Sequence, residues 1–175
     1  TIPHFFFFFR PNFLIIVTDD QRYDTMQYMP KTQELIFDQG VTFSRAYITT
    51  PFCCASRSSI LTGMYAHNHE VYVNEDKLKY KTFVEDLHKN GYYTGLVGKY
   101  LNSWDGSERP EFDFWVSFWG GTVPSYYDPD LNINGTWSKH TGYITYLFKD
   151  QVINFLDEAS GQRKPFFLLF APNAP

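Results

Sequence analysis

Hydrophobic positions along the chain form two patterns, continuous runs and a helical spacing, and each pattern predicts one type of element. Continuous apolar runs rich in β-branched and aromatic residues predict strands that are buried on both faces. Apolar residues three and four positions apart predict helices that bury one face. The predicted strands cover 12–18, 92–97 and 165–171, with a short strand at 41–46, and the predicted helices cover 30–39, 56–61, 82–90 and 142–158.

Strands and helices alternate along the chain, which predicts an α/β fold with a largely parallel sheet sandwiched by helices. In such sheets ligands bind at the edge where the carboxyl ends of the strands meet. Polar residues run from Asp19 to Arg22 directly after the first predicted strand, and Gly98 and Lys99 follow the strand at 92–97. The stretch 103–136, rich in Gly, Pro, Asp and aromatic residues, predicts a long irregular excursion.

Composition narrows the classes of protein to which the chain can belong. Hydrophobic residues make up 43% and charged residues 19%, which is typical of a globular domain. The formal net charge of −4 argues against nucleic acid as the main partner. No apolar run approaches the roughly 20 residues of a membrane span, so we expect none. Residues 1–10, which include the run Phe5 to Phe9, form a tail of unclear status and receive no function.

The chain has two cysteines, Cys53 and Cys54, and they are adjacent. Neighbouring cysteines rarely form a mutual disulfide, and two thiols alone cannot complete a zinc site. Their position is therefore interpreted in terms of reactivity. Asn134-Gly135-Thr136 forms a sequon, which predicts possible N-glycosylation at Asn134 in a secreted or lysosomal protein.

The segment from Cys53 to Gly63, CCASRSSILTG, resembles the signature of the sulfatase family. That signature is Cys, any residue, Pro or Ala, Ser, Arg, three variable residues, then Leu-Thr-Gly. Counting from Cys53 satisfies every fixed position, whereas counting from Cys54 breaks both Ser and Arg. The resemblance implies that a formylglycine-generating enzyme oxidises Cys53 to formylglycine. One hydroxyl of the hydrated aldehyde then attacks sulfur, and the second expels sulfate.

Other residues match the family's catalytic pattern by position. Asp19 and Asp20 resemble its paired metal ligands, most often for Ca²⁺ and less often for Mg²⁺, with the group at Cys53 as a further ligand. Arg57, one helical turn after Cys53, is assigned to holding the diol and the metal shell. Lys99 resembles the lysine that holds a sulfate oxygen.

The motif around Lys99 departs from that of many sulfatases, which carry a histidine two residues later, where this chain has Leu101. The Gly-Lys-Tyr-Leu-Asn variant resembles the branch of N-acetylglucosamine-6-sulfatases and heparan endosulfatases, and Asn102 is then expected to supply a polar substrate contact. The stretch 63–69 resembles the same branch. It predicts His67 as a contact of the diol and His69 as a contact of the substrate, against the alternative that both are structural.

The resemblance covers 11–175, interpreted as the N-terminal part of a sulfatase catalytic domain whose remainder and C-terminal domain lie outside the chain. It implies hydrolysis of sulfate monoesters on an amino sugar or other glycan, in a lysosomal, secreted or periplasmic protein. Two alternatives stay open: a phosphate or phosphonate ester hydrolase of the same superfamily, and a non-catalytic glycan-binding relative whose Cys53 remains a thiol. Aromatic residues that can stack on a sugar ring are Trp104, Trp115, Trp119, Tyr126 and Tyr127.

Overall fold

The backbone forms a six-stranded sheet with helices on both faces. The computed structural model describes residues 10–120 and 125–175, so the Phe5 to Phe9 run lies outside the described residues. The strands are β1 Phe13–Ile16, β2 Tyr93–Gly98, β3 Phe114–Ser117, β4 Asp130–Ile133, β5 Thr136–Lys139 and β6 Phe166–Ala171. The α-helices are α1 Pro30–Thr32, α2 Cys53–Thr62, α3 Ala66–His69, α4 Phe83–Lys89 and α5 Ile144–Ser160.

The strand order is β1-β6-β2-β3-β4-β5, and the first four of these strands are parallel. β4 and β5 are antiparallel additions at one side of the sheet. The prediction of an α/β fold with a largely parallel sheet is confirmed. Because β1, β6, β2 and β3 run in the same direction, the residues that follow them meet at one edge.

Alternating residues of the central strands supply two separate cores. Leu96 of β2 packs with α2 and α4 on one face of the sheet, in a cluster that includes Leu61 and Val84. Val97 packs on the opposite face with α5, in a cluster that includes Phe148 and Phe155. All six residues of β2 are buried, as expected for a strand covered on both faces.

The first strand differs from its prediction, since β1 is not buried on both faces. Phe13, Leu14 and Ile16 are 42%, 46% and 48% exposed. Among the described residues β1 pairs only with β6, so it lies at the edge of the sheet. An apolar run indicates β structure but carries no information about the strand's place in the sheet.

The segment after β1 is helical but lies on the surface. A 3₁₀-helix at Tyr23–Tyr28 precedes α1, which continues into a π-helical turn at Gln33–Phe37, and none of these elements has a buried residue. The predicted strand at 41–46 is wrong: the backbone there is irregular, and Val41 and Phe43 are more than 80% exposed. β propensity produces a strand only where another strand supplies hydrogen-bond partners.

The predicted irregular excursion at 103–136 is wrong in part, because this stretch contains β3, β4 and the first residue of β5. These strands are only four residues long, and every residue of β5 is exposed. Neither length nor periodicity distinguishes such strands from a loop.

Helices α2, α4 and α5 follow their predictions, apart from shifts at their ends, whereas the short helix α3 was not predicted. α2 begins at Cys53, three residues before the predicted start. α4 begins after Thr82, whose backbone N–H donates to Glu85 Oε1 at 3.3 Å. Within the described ranges, no helix combines the length and apolar character needed to cross a membrane.

Gly95, in the middle of β2, leaves room for the Phe155 ring of α5. A Cβ atom at this position would lie 2.4 Å from Phe155 Cε2, and the ring also stacks on Tyr93 at 5.0 Å. We expect Gly95→Ala to lower the free energy of unfolding by about 1–3 kcal/mol through overpacking. In a Phe155→Leu background the cost should fall by at least half, measured by urea unfolding of the four variants as a double-mutant cycle. Equal costs in both backgrounds would contradict the packing explanation.

Candidate active site

A buried carboxylate, Asp19, lies at the centre of the candidate site. Its Oδ2 accepts a hydrogen bond from Arg57 Nη2 at 2.9 Å and lies 2.7 Å from Lys99 Nζ. Asp19 is 7% exposed, and Arg57 and Lys99 are 7% and 3% exposed. Three charged groups therefore share one enclosed space, where each is tolerated because it is paired. The structure brings together residues predicted from three separate segments.

Arg57 also joins the ends of two strands. Its Nη1 donates to the backbone carbonyl of Lys99 at 2.7 Å, while its Nη2 holds Asp19. Asp19 follows β1, and Lys99 follows β2. One planar guanidinium thus connects α2 to the ends of two parallel strands at the edge where ligand sites form.

Cys53 is the first helical residue of α2, after an extended Phe52. Its Sγ lies 3.7 Å from Asp19 Oδ1 and 4.0 Å from Asp20 Oδ1. Arg57 lies one turn further along the same helix and contacts the same carboxylate, as the four-residue spacing predicted. Cys53 therefore faces both acidic residues from a helix N-terminus, where backbone N–H groups favour a developing negative charge.

Asn74 holds the start of α2, a role that no sequence pattern predicted. Its Oδ1 accepts a hydrogen bond from the backbone N–H of Cys54 at 3.0 Å. This N–H belongs to the first turn, whose donors have no partner within the helix. A cap from a residue 20 positions away leaves no local pattern, which also explains why the start of α2 was predicted too late.

Gly98 allows β2 to end where Lys99 reaches Asp19. Its φ is +113°, and a Cβ atom would lie 2.1 Å from the carbonyl oxygen of Ala171 in β6. The next N–H, that of Lys99, donates to the same carbonyl at 2.8 Å. Only glycine fits this close approach without displacing β6.

The charges of the site act differently on its acid and its thiol. Burial alone would raise the pKa of Asp19, but the hydrogen bond and charge of Lys99, together with Arg57, outweigh it and hold that pKa below its ordinary value. Burial raises the pKa of the Cys53 thiol; the charges of Asp19 and Asp20 add to the rise, and those of Lys99 and Arg57 oppose it. Asp19 is thus ionised at neutral pH, whereas the Cys53 thiol keeps its proton.

Asp19, Asp20 and Cys53 can together hold a metal ion, since their ligand atoms lie within 4.8 Å of one another. Asp20 is exposed and has a left-handed φ of +52°, a conformation that Asp adopts more readily than most residues. Two adjacent carboxylates suit a hard cation, but a thiol sulfur does not. The donor set therefore fits Ca²⁺ or Mg²⁺ once oxygen replaces the sulfur at Cys53.

The structure does not bring the two predicted histidines into this cluster. His69 is 1% exposed, with its Nδ1 accepting the N–H of Val71 at 3.1 Å and its Nε2 lying 2.8 Å from Ser59 Oγ. Both ring nitrogens are occupied, so the structural alternative is favoured over the substrate contact. His67 is exposed, stacks on Tyr65 at 5.8 Å, and is not among the residues that line the cavity at Cys53.

Three residues from the predicted glycan-contacting set have different surroundings. Asn102 lies three residues after Lys99, and its Oδ1 is buried without a hydrogen-bond partner among the described residues. Trp115 is fully buried in the core, with its Nε1 donating to the carbonyl of Gly106 at 3.0 Å, which excludes it as a sugar platform. Trp119, in contrast, is 66% exposed.

Asn134 lies in the turn between β4 and β5, with a left-handed φ of +47°. It is exposed, and its Oδ1 accepts the backbone N–H of Trp115 at 2.8 Å. This bond uses the amide oxygen, whereas glycosylation would use the amide nitrogen. Modification of Asn134 remains a prediction.

The sequence and the fold of this chain are similar to those of known sulfatases and of a protein solved with a sulfated sugar. The chain is 39% identical to an extracellular sulfatase SULF-1 homolog of Drosophila melanogaster and 35% identical to the human N-acetylglucosamine-6-sulfatase. Each match covers 95% of this chain, which spans 16% of the fly protein and 34% of the human protein. A protein solved in complex with its substrate, D-glucosamine-2-N,6-O-disulfate, superimposes with a TM-score of 0.81 at 28% identity. That match covers 95% of this chain and 35% of the other.

The family model described as Sulfatase matches residues 11–175. This range contains the signature that begins at Cys53 and all three members of the buried charged cluster. On these grounds, the chain belongs to the sulfatase family.

Proposed function

We propose that the protein hydrolyses sulfate monoesters of amino sugars or related glycans, with Cys53 as the residue that carries the nucleophile. The observation that carries this proposal is the position of Cys53 at the start of α2, facing Asp19 and Asp20 beside a buried Arg57 and Lys99. This arrangement places a reactive centre next to two cations and two carboxylates at the ligand-binding edge of the sheet.

The chemistry depends on modification of Cys53. As formylglycine it supplies a hydrated aldehyde, one hydroxyl of which bonds to sulfur as the sugar alcohol leaves, and the second of which loses its proton and expels sulfate. We propose that Lys99 and Arg57, which Asp19 holds beside residue 53, neutralise part of the charge on the sulfate oxygens. Asp19 holds the side chains of Arg57 and Lys99 in place, and the N-terminus of α2 favours negative charge at residue 53.

A divalent cation, which we infer to be Ca²⁺ rather than Mg²⁺, would be held by Asp19, Asp20 and the oxygen at residue 53. Asp19 uses its Oδ2 to pair with Arg57 and Lys99, and its Oδ1 still faces residue 53. Bound there, the cation supplies positive charge that polarises the sulfate group. Ca²⁺ takes six to eight oxygen ligands, so the described residues provide only part of its shell.

The substrate class is inferred from the relatives. One is named for N-acetylglucosamine-6-sulfate, and one solved neighbour holds a disulfated glucosamine. We therefore propose a sulfated amino sugar as substrate, a formylglycine-generating enzyme as the maturation partner, and a secreted, lysosomal or periplasmic location. We further propose that 11–175 is the N-terminal part of a larger catalytic domain, which is consistent with the exposed apolar residues of β1 and of 41–48.

The first test is the mass of the tryptic peptide 46–57 from protein purified from its native source. Conversion of the Cys53 side chain from CH₂SH to CHO lowers the mass by about 18 Da, and we expect this loss. An unmodified thiol in native protein would contradict the proposed nucleophile and favour a non-catalytic, glycan-binding role.

Removing the charge of Asp19 and removing that of Asp20 should change the free energy of unfolding by different amounts. Asp19→Asn leaves Arg57 and Lys99 buried without their counter-charge, so we expect the free energy of unfolding to fall by about 3–5 kcal/mol in a chelating buffer. The matched change Asp20→Asn, at an exposed position, should alter it by less than about 0.5 kcal/mol.

Added Ca²⁺ should raise the melting temperature of the wild-type protein but that of neither variant. Differential scanning calorimetry with and without Ca²⁺ measures both effects. If Asp20→Asn keeps the full response to Ca²⁺, Asp20 is not a ligand and the proposed metal site is wrong.

The preferred ester is tested by comparing an aryl sulfate with the matching aryl phosphate. The family model and the relatives that match this chain are named as sulfatases, which favours a sulfate ester over a phosphate ester. We expect kcat/KM to favour sulfate by about tenfold or more. A preference for phosphate would instead support the phosphate ester hydrolase.

A further inference from the structure

Part of the wall of the cavity at Cys53 comes from a segment that lies outside the helices and strands. This cavity has a volume of about 120 Å³, and its lining includes Ile48, Thr50, Pro51 and Phe52, which precede α2. Ile48 is 73% exposed, so packing within the described residues contributes little to its position. Another interaction is therefore needed to fix this wall beside the nucleophile position.

One hydrogen bond joins the segment 41–51 to the rest of the described chain. Thr49 Oγ1 lies 3.0 Å from the Oγ atom of Ser59, in the middle of α2. Among the described residues, no other hydrogen bond of backbone or side chain links this segment to its surroundings. Because Thr49 stands between Ile48 and Thr50, the bond to Ser59 fixes the wall relative to α2.

His69, at the end of α3, donates the next hydrogen bond to Ser59. The backbone N–H of Val71 donates to His69 Nδ1 at 3.1 Å, so this nitrogen carries no proton. The proton of the neutral ring is then on Nε2, which donates to Ser59 Oγ at 2.8 Å. Burial lowers the pKa of His69, and the charge of His67 lowers it further, whereas a backbone hydrogen bond has the smaller opposite effect. The ring is therefore neutral at pH 7.

This donor decides between two partners of the Ser59 hydroxyl. A hydroxyl inside a helix can donate to the carbonyl four residues earlier, as that of Thr62 does to Ser58 at 2.7 Å. The hydrogen bond from His69 instead holds Ser59 Oγ within reach of Thr49. The chain His69–Ser59–Thr49 thus connects a buried ring of α3 to the wall of the cavity.

We propose that His69 is a positioning residue for the nucleophile at residue 53. It acts through Ser59 and Thr49, which fix the residues 48–52 as one wall of the cavity. The effect on turnover rests on the proposed function, whereas access to the cavity can be measured on the unmodified thiol. This role gives the buried histidine of the 63–69 motif a purpose that needs no contact with the substrate.

The test measures how fast iodoacetamide alkylates Cys53 in full-length protein produced without the formylglycine-generating enzyme. Cys53 is partly exposed and Cys54 is buried, and tandem mass spectrometry of the tryptic peptide 46–57 locates the modified thiol. Thr49→Val and Ser59→Ala each remove the bond to the wall and should raise the rate about three- to tenfold. The matched control is Thr42→Val, at an exposed position of the same segment, which should leave the rate unchanged.

Two neutral replacements of His69 separate positioning from support of the fold. The amide of Gln can replace Nε2 and donate to Ser59, whereas the amide of Asn can replace Nδ1 and accept the N–H of Val71. His69→Asn should therefore raise the alkylation rate as Thr49→Val does, and His69→Gln should change it by less than about twofold. Urea unfolding should show the opposite order, because only His69→Gln leaves the buried N–H of Val71 without a partner.

Equal alkylation rates in wild type and Thr49→Val would overturn the anchoring of the wall. Equal rates in His69→Asn and His69→Gln would overturn the role of His69. In the matured enzyme, kcat/KM for an aryl sulfate should fall in the variants whose alkylation rate rises, since their nucleophile is less well positioned. If the matured wild-type protein cleaves no sulfate ester, the proposed function fails, and the alkylation rates still decide whether His69 fixes the wall.

Discussion

The pairing of the buried Asp19 carboxylate with Arg57 and Lys99 holds the candidate site together. Three segments that are far apart in sequence end at this one group: the loop after β1, helix α2 and the end of β2. Removal of Asp19 leaves Arg57 and Lys99 buried without a counter-charge, which costs several kcal/mol. The same pairing positions Cys53, because Cys53 and Arg57 share one face of α2 and contact the same carboxylate.

The parallel strands explain why so much chemistry collects in one place. β1, β2 and β3 deliver Asp19, Lys99 and Trp119 to one edge, although these residues span 100 positions of sequence. Two cavities have lining residues that contact the first turn of α2. The smaller is lined by Asp19, Asp20 and Cys53, among others, and the larger by Asn74, whose Oδ1 accepts the N–H of Cys54.

Sequence patterns predicted the buried strands β2 and β6 and the helix α5, because each is long and strongly apolar or periodic. They also predicted Asp19, Cys53, Arg57 and Lys99, because these positions belong to a motif or follow a strand. The patterns predicted the strand β1 but not its place at the edge of the sheet, and they missed β3, β4, β5 and Asn74. In each of these cases the deciding factor was a partner distant in the sequence: a neighbouring strand, a hairpin or a helix cap 20 residues away. For the histidines the motif predicted more than the structure supports. It assigned His69 to the substrate, whereas His69 is buried and both of its ring nitrogens have hydrogen-bond partners within the protein.

The environment of Cys53 argues against catalysis by its thiol. Reactive cysteines have a lowered pKa and lie near positive charge that no other group neutralises. Here burial and two nearby carboxylates raise the pKa of Cys53, and Asp19 already takes up the charge of Arg57 and Lys99. An oxygen at the same position needs no thiolate, suits the hard cation that two carboxylates favour, and benefits from the N-terminus of α2. The surroundings are thus poorly suited to a reactive thiol and are better suited to the oxygen nucleophile proposed for residue 53.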